Sequence, residues 1–348
     1  VNHPVVWTPL HAQLQHILKQ RQLLPAQQKV LLAISGGQDS FCLLQLLTDL
    51  QPKWRWSLAL AHGDHRWPSD SGANAEHVAQ IADQYQLPLF LKQAPTALKS
   101  EAAGRDWRYQ MLTEIAEQQN YARVVTAHTA SDRAETLLYN LIRGSGTDGL
   151  QALSWQRPLS TQVQLVRPLL EVTRAQTGEF CESRELPLWQ DAMNQELAYR
   201  RNRIRQEVLP YLKSHFNPQV ETALAQTADI LQADVAFLEA ETQRLLAVAL
   251  PHQPPALSHT STRSSLGYIN RHCLKSAPIA LQRRALRQFL QSTLGLSANF
   301  SQIEKVLALV TASNRSRTDP LRKKWVAEVA DPWIVIISLP PVTETQPQ

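Results

Sequence analysis

Apolar and polar positions alternate in two rhythms through the first two thirds of the chain. Lys29-Val30-Leu31-Leu32-Ala33-Ile34 is a short apolar, β-branched run, of the kind that is buried on both faces of a sheet. Comparable runs at 57–62, 87–91, 123–127 and 163–166 predict four more strands. Between them, 41–47, 74–85, 102–119, 132–143 and 174–185 have the pattern of helices. Strands and helices alternating at this pitch predict an α/β fold, an open parallel sheet with helices on both faces. The rhythm changes after about residue 216. Residues 218–250 form one long helical stretch rich in Ala, Leu and Gln, and 251–265 is a linker rich in Pro, Ser, Thr and His. Two amphipathic helices follow at 278–294 and 299–311, then a hairpin pairing 325–329 with 333–337 around Asp331-Pro332. The tail 340–348 is expected to be disordered. The expected division is a sheet domain over 1–215, a helical linker over 216–250 and a mainly helical C-terminal domain over 251–348.

Composition narrows this picture a little. The 348 residues are ample for two domains, and a hydrophobic share of 43% is that of an ordinary globular protein. The net charge of +5 favours an anionic partner such as nucleic acid, although a slightly basic protein needs no such partner. Cys42, Cys181 and Cys273 lie far apart, which argues against a disulfide framework, a zinc ribbon or an iron–sulfur cluster. No apolar run approaches the roughly 20 residues that span a bilayer. Val1-Asn2-His3-Pro4 does not read as a signal peptide. The expectation is a cytoplasmic protein with no membrane association.

Candidate chemistry begins where the first strand ends. Ser35-Gly36-Gly37-Gln38-Asp39-Ser40 joins that strand to a helix. Two glycines let the backbone approach an anion, and the helix start directs free N–H groups and its positive dipole end toward it. Ser35 and Ser40 add hydroxyl donors. Asp39 beside a phosphate implies a bridging divalent cation, here Mg²⁺. The loop lacks the Lys of a P-loop and the spacing of a dinucleotide fingerprint. It resembles the loop of the PP-loop ATP pyrophosphatases, which attack ATP at the α-phosphate and release pyrophosphate.

A second segment, Thr126-Ala127-His128-Thr129-Ala130-Ser131-Asp132-Arg133-Ala134-Glu135-Thr136, leads from a strand end into a helix. Asp132 and Glu135 are three apart and share one helix face. On position alone, such a pair serves capping and the helix dipole equally well. Three further segments stand with it: Gly104-Arg105-Asp106-Trp107-Arg108-Tyr109, Asp191-Ala192-Met193-Asn194 and Tyr199-Arg200-Arg201-Asn202-Arg203-Ile204-Arg205, with Arg167-Pro168-Leu169-Leu170 between. Together, over about residues 28–215, these motifs resemble the tRNA(Ile)-lysidine synthetases. His62-Gly63-Asp64-His65 keeps a His-x-Asp-His core, whereas Thr129 and Met193 stand where the family often has His and Ser.

The resemblance implies a two-step reaction on the wobble cytidine of a CAU-anticodon tRNA(Ile). The cytosine 2-carbonyl oxygen attacks the α-phosphorus of ATP, and the ε-amine of free L-lysine then displaces AMP. On this reading Ser35 to Ser40 and His62 hold ATP, and Asp39 is catalytic and Mg²⁺-associated. Asp132 and Glu135 take the lysine ammonium, with Asp132 as general base. Arg105, Arg108 and Arg205 are candidates for phosphate or lysine-carboxylate contacts. Arg105 counts among the catalytic residues, Arg205 among the lysine-binding ones, and Arg108 with Arg201 among the tRNA contacts. Arg322, Lys323 and Lys324, beside Trp325, are a further tRNA-binding cluster. A homodimer is left open. Two rivals stand beside this reading. A tRNA thiolase of the superfamily would need paired cysteines, and a non-catalytic nucleotide-sensing RNA-binding protein would not need Asp39 or the Asp132/Glu135 pair.

Overall fold

The structure, a computed structural model, describes residues 6–66, 71–98, 100–189, 200–253, 265–295, 297–321 and 325–339. The chain divides into two compact units, 1–232 and 233–348. In the first, helix α1 (Pro9–Gln20) precedes the alternation β1 (Lys29–Ala33), α2 (Gln38–Trp54), β2 (Ser57–Asp64), α3 (Ser71–Gln84), β3 (Leu89–Gln93), α4 (Glu101–Gln118) and β4 (Arg123–Val125). Helices α5 (Ala130–Ile142) and α6 (Thr147–Leu150), strands β5 (Gln156–Pro158) and β6 (Gln164–Val166), and helix α7 (Arg174–Ser183) follow. The six strands form one sheet in the order β3-β2-β1-β4-β6-β5. Every neighbouring pair is parallel except β5–β6.

Alternation along β1 and β2 explains the layers. Val30, Leu32, Leu58 and Leu60 join a core with α1, α2, α3 and α7, and Leu31, Ala59 and Ala61 join another with Met111, Leu112 and Ile115 of α4. Both sheet faces are therefore covered by helices, as the unbroken apolar strands require. Helix α1 was not anticipated, yet its buried Leu10, Leu14, Ile17 and Leu18 have helical spacing. The strand order reverses between β1 and β4, where an open α/β sheet leaves a crevice at its carboxyl ends.

Past α7, a continuous helical segment runs through α8 (Arg200–Arg203), a π-helical turn (Ile204–Val208) and α9 (Leu209–His215). Ile204 and Leu209 pack on Ala134 of α5. Helix α10 (Val220–Ala249) contains the division between the two units, inside the stretch expected to be a linker. The second unit has β7 (Ser265–Asn270), α11 (Arg271–Lys275), α12 (Ile279–Leu294), α13 (Phe300–Leu307), β8 (Trp325–Ala330) and β9 (Trp333–Ser338). The expected hairpin forms and gains β7 on its other edge, in the order β7-β9-β8. Arg322, Lys323, Lys324, the segment Asp191–Asn194, most of the 251–265 linker and the 340–348 tail lie outside the described residues.

Candidate active site

A cleft of about 360 Å³ opens at the carboxyl ends of β1, β2 and β4. Its floor is the 34–40 loop, which leaves β1 and turns into α2. Gly36 has φ +88°, and a Cβ there would come within 2.2 Å of Asn74 Oδ1. Only glycine fits that position. Asn74 Nδ2 donates to the Ser35 carbonyl at 3.0 Å, and the Trp189 N–H donates to the Gly36 carbonyl at the same distance. The Ser40 hydroxyl donates to the Gly37 carbonyl at 2.7 Å and lies 3.2 Å from Ser35 Oγ. Neighbouring chain thus holds the Ser35 and Gly36 carbonyls and Ser40 holds that of Gly37, at a helix start whose first N–H groups suit an anion.

Two loop side chains are engaged by α7. Gln38 Nε2 donates to the Arg174 carbonyl at 2.7 Å and to Thr177 Oγ1 at 2.8 Å. Thr177 Oγ1 in turn lies 2.5 Å from Asp39 Oδ1, to which it donates. The Arg174 guanidinium stands 3.5 Å from Asp39 Oδ2. Burial pushes the Asp39 pKa up, Arg174 opposes this, and the charge of Asp132 adds to the rise.

Facing the loop across the reversal point is the first turn of α5. Thr129 caps the helix, and its N–H and hydroxyl both donate to Asp132 Oδ2 at 2.8 Å. This is the capping arrangement, and the position often held by His in the family serves it here as Thr. Burial raises the Asp132 pKa, but His128, Arg205 and the Thr129 bonds outweigh it, so Asp132 sits below the usual carboxylate range. Glu135 is 4% exposed, and burial pushes it up to about 7 against the pull of Arg205. Arg205 spans both acids: Nε lies 2.6 Å from Glu135 Oε1, and Nη2 lies 3.1 Å from Oε2 and 3.3 Å from Asp132 Oδ1.

Three histidines line the cleft wall. His62 Nδ1 donates to the Ile34 carbonyl at 2.8 Å, which fixes its tautomer, and burial lowers its pKa. His65 accepts from Arg108 Nη2 at 3.1 Å, and burial with that cation lowers it to about 4. His128, 2.9 Å from Thr126 Oγ1, is lowered to about 4 by burial and then by Arg167. The last two are neutral at physiological pH.

Of the residues singled out from sequence, the cleft brings together Ser35, Gly37, Gln38, Asp39, Ser40, His62, Arg108, Asp132 and Arg205. Glu135 joins through Arg205, and Gly36 through the backbone of the loop. Arg105 is exposed on α4 outside this lining, and Arg201 stands over the Tyr139 ring at 5.8 Å. Sequence reasoning missed Asn74, Arg174, Thr177 and Trp189. None belongs to a motif, and only the Thr173 cap before Arg174 marks a helix start. Among the described residues no cluster of three or more His, Cys, Asp or Glu could hold a metal by itself. A Mg²⁺ ion is, however, commonly held by one or two carboxylates together with substrate phosphates, and Asp39 supplies such a carboxylate beside the anion site.

The sheet order, the loop and the crevice define a PP-loop ATP-binding protein, and residues 7–212 match the PP-loop domain family. A U34-tRNA thiolase from Methanococcus maripaludis has a similar fold, with a TM-score of 0.54 at 15% identity over 64% of this chain and 78% of its own. The chain belongs to the tRNA(Ile)-lysidine synthase family. It is 53% identical to the tRNA(Ile)-lysidine synthase of Nostoc sp., over 95% of this chain and 98% of that protein. It is 48% identical to that of Synechocystis sp., over 93% and 96%. The chloroplastic enzyme of Zygnema circumcarinatum is 33% identical over 87% and 80%.

Proposed function

We propose that this chain is a ligase that joins lysine to carbon 2 of the wobble cytidine of a CAU-anticodon tRNA(Ile), with ATP converted to AMP and pyrophosphate. One observation carries the reading: the anion-binding loop and the Asp132/Glu135 pair face each other across one crevice. Full-length likeness to enzymes of that name supports the substrate.

In the first step the cytosine O2 attacks the α-phosphorus, and the P–O bond to pyrophosphate breaks. The N–H groups at the start of α2, with the Ser35 and Ser40 hydroxyls, hold the leaving pyrophosphate. Asp39 would be the protein carboxylate that holds a Mg²⁺ ion, which when bound would neutralise charge on the phosphates. Arg108 and Arg174 face the same space and offset phosphate charge. In the second step the lysine ε-nitrogen attacks C2, and AMP leaves with the former O2. The free ammonium has a pKa of about 10.4 and must first lose a proton. Asp132, held ionised, pairs with the ammonium, and its place beside that group makes it the candidate general base. Glu135, at about 7, is the second proton acceptor in reach.

The test is pyrophosphate release and lysine incorporation with purified tRNA, with and without lysine. In Asp132→Asn, pyrophosphate release should persist while lysine incorporation falls by about 100-fold or more, the usual scale for loss of a general base. Incorporation near the wild-type rate would remove Asp132 from the second step.

A further inference from the structure

The segment that delivers Arg205 to the catalytic carboxylates continues past them and ends in an exposed group of aromatic rings. Tyr211 is 56% exposed and Phe216 is 73% exposed. The Tyr211 and His215 rings stack at 4.3 Å with 23° between planes, and Phe216 stands tilted 6.0 Å from Tyr211. The stack is held from behind. His215 Nδ1 lies 3.1 Å from the Tyr211 carbonyl oxygen and 2.7 Å from Ser214 Oγ, so the imidazole is fixed against its neighbour one helical turn away.

Exposed apolar rings alone say little about what covers them. Two features of the same segment specify the occupant. Besides Arg205, which bridges the two carboxylates, residues 200–216 carry Arg200, Arg201, Arg203 and Lys213 against the single acid Glu207, a charge balance suited to a polyanion. The rings also begin six residues beyond Arg205, at most about 9 Å along a segment whose first turn is π-helical. That is the span of a few stacked nucleotides, measured from the crevice where the target base reacts.

Resting on the proposed tRNA reaction, we infer that Tyr211 and His215, with Phe216 as a side wall, form a stacking platform for an unpaired nucleobase of the anticodon loop next to the modified cytidine. Aromatic side chains beside a cationic track hold single-stranded RNA in this way, and the π-face accepts any base. The platform therefore adds affinity and places the loop, without reading its sequence. Pre-stacked rings lose little freedom when a base joins them.

The experiment measures binding of an unmodified tRNA transcript with the CAU anticodon to the full chain. Binding is followed over a series of salt concentrations. Tyr211→Ala combined with His215→Ala should weaken binding by about tenfold. The slope of log Kd against log salt should stay at the wild-type value, because stacking releases no counterions. KM for ATP and for lysine should also be unchanged. Tyr211→Phe keeps the ring and should bind as wild type. In a transcript with 2-aminopurine beside the target cytidine, quenching on binding should be lost in Tyr211→Ala. Wild-type affinity in the double variant, or quenching unaffected by Tyr211→Ala, overturns the platform. A wild-type chain that binds tRNA but forms no lysidine overturns the proposed reaction, and the binding series still decides the platform.

Discussion

Asp39 and Glu135 show how burial sets chemistry one residue at a time. Glu135 shifts from 4.5 to about 7 because burial outweighs its two bonds from Arg205. An acid raised on folding contributes stability below its unfolded pKa, and that contribution is lost as pH rises through the folded value. The wild-type chain should therefore lose stability from Glu135 between pH 4.5 and about 7. The loss is up to about 3 kcal/mol at roughly 1.4 kcal/mol per unit. Glu135→Gln should flatten that part of the profile in denaturant titrations, and an unchanged slope would show that Glu135 is not so perturbed. Two adjacent glycines provide a contrast. Gly36→Ala meets Asn74 at 2.2 Å with φ at +88°, whereas a Cβ on Gly37 would stand 3.7 Å from Ser35 Oγ. Gly36→Ala should cost about 1–3 kcal/mol of stability and weaken ATP binding, and Gly37→Ala should melt close to wild type. Calorimetry on the two variants separates them.

At the scale of elements, α5 and α10 are joined by an ion pair between a buried Arg133 and a partly exposed Asp229. Arg133 is 1% exposed and bonds Asp229 through both terminal nitrogens at 3.2 Å. Trp155 Nε1 donates to the same Asp229 oxygen at 2.6 Å, and Arg21 to the other at 2.8 Å. Asp229→Ala leaves a buried guanidinium with only Gln232 as a polar partner and strips Trp155 and Arg21 of an acceptor, so unfolding free energy should fall by about 2–4 kcal/mol. A loss below 1 kcal/mol in urea titration would rule out that role. None of this pairing shows locally, since Arg133 and Asp229 lie 96 positions apart. The sheet was legible because buried parallel strands must be apolar throughout, as in 29–34. The Asp132/Glu135 face was legible because helical spacing is local. What escaped was the partner that closes each group. Gln38 was read as an ATP contact, yet its amide is engaged by α7, and Thr177, which holds Asp39, comes 138 residues later. The π turn that carries Arg205 onto the acids follows from no periodicity in 199–205.

For the whole molecule, the net charge of +5 has the sign that suits the polyanion of the proposed reaction. Arg322, Lys323 and Lys324 remain the densest cationic run of the second unit's sequence. Neutralising all three should weaken tRNA binding. It should also reduce the salt slope by about two to three, at roughly 0.7–0.9 per phosphate contact. An unchanged slope would remove that run from the interface. No helix among the described residues is long and apolar enough to cross a membrane.

On the proposed reaction, the bridge that Arg205 makes to both Asp132 and Glu135 also changes what an affinity for lysine means. The amino acid does not enter a vacant negative hole. It meets an internal tenant, tethered to the same chain and always present. Its observed dissociation constant is therefore an exchange constant, the intrinsic one multiplied by the tenant's hold. Strengthening the bridge would leave such an enzyme less able to use scarce lysine, since every gain in rest-state order raises the concentration at which the substrate can win the seat.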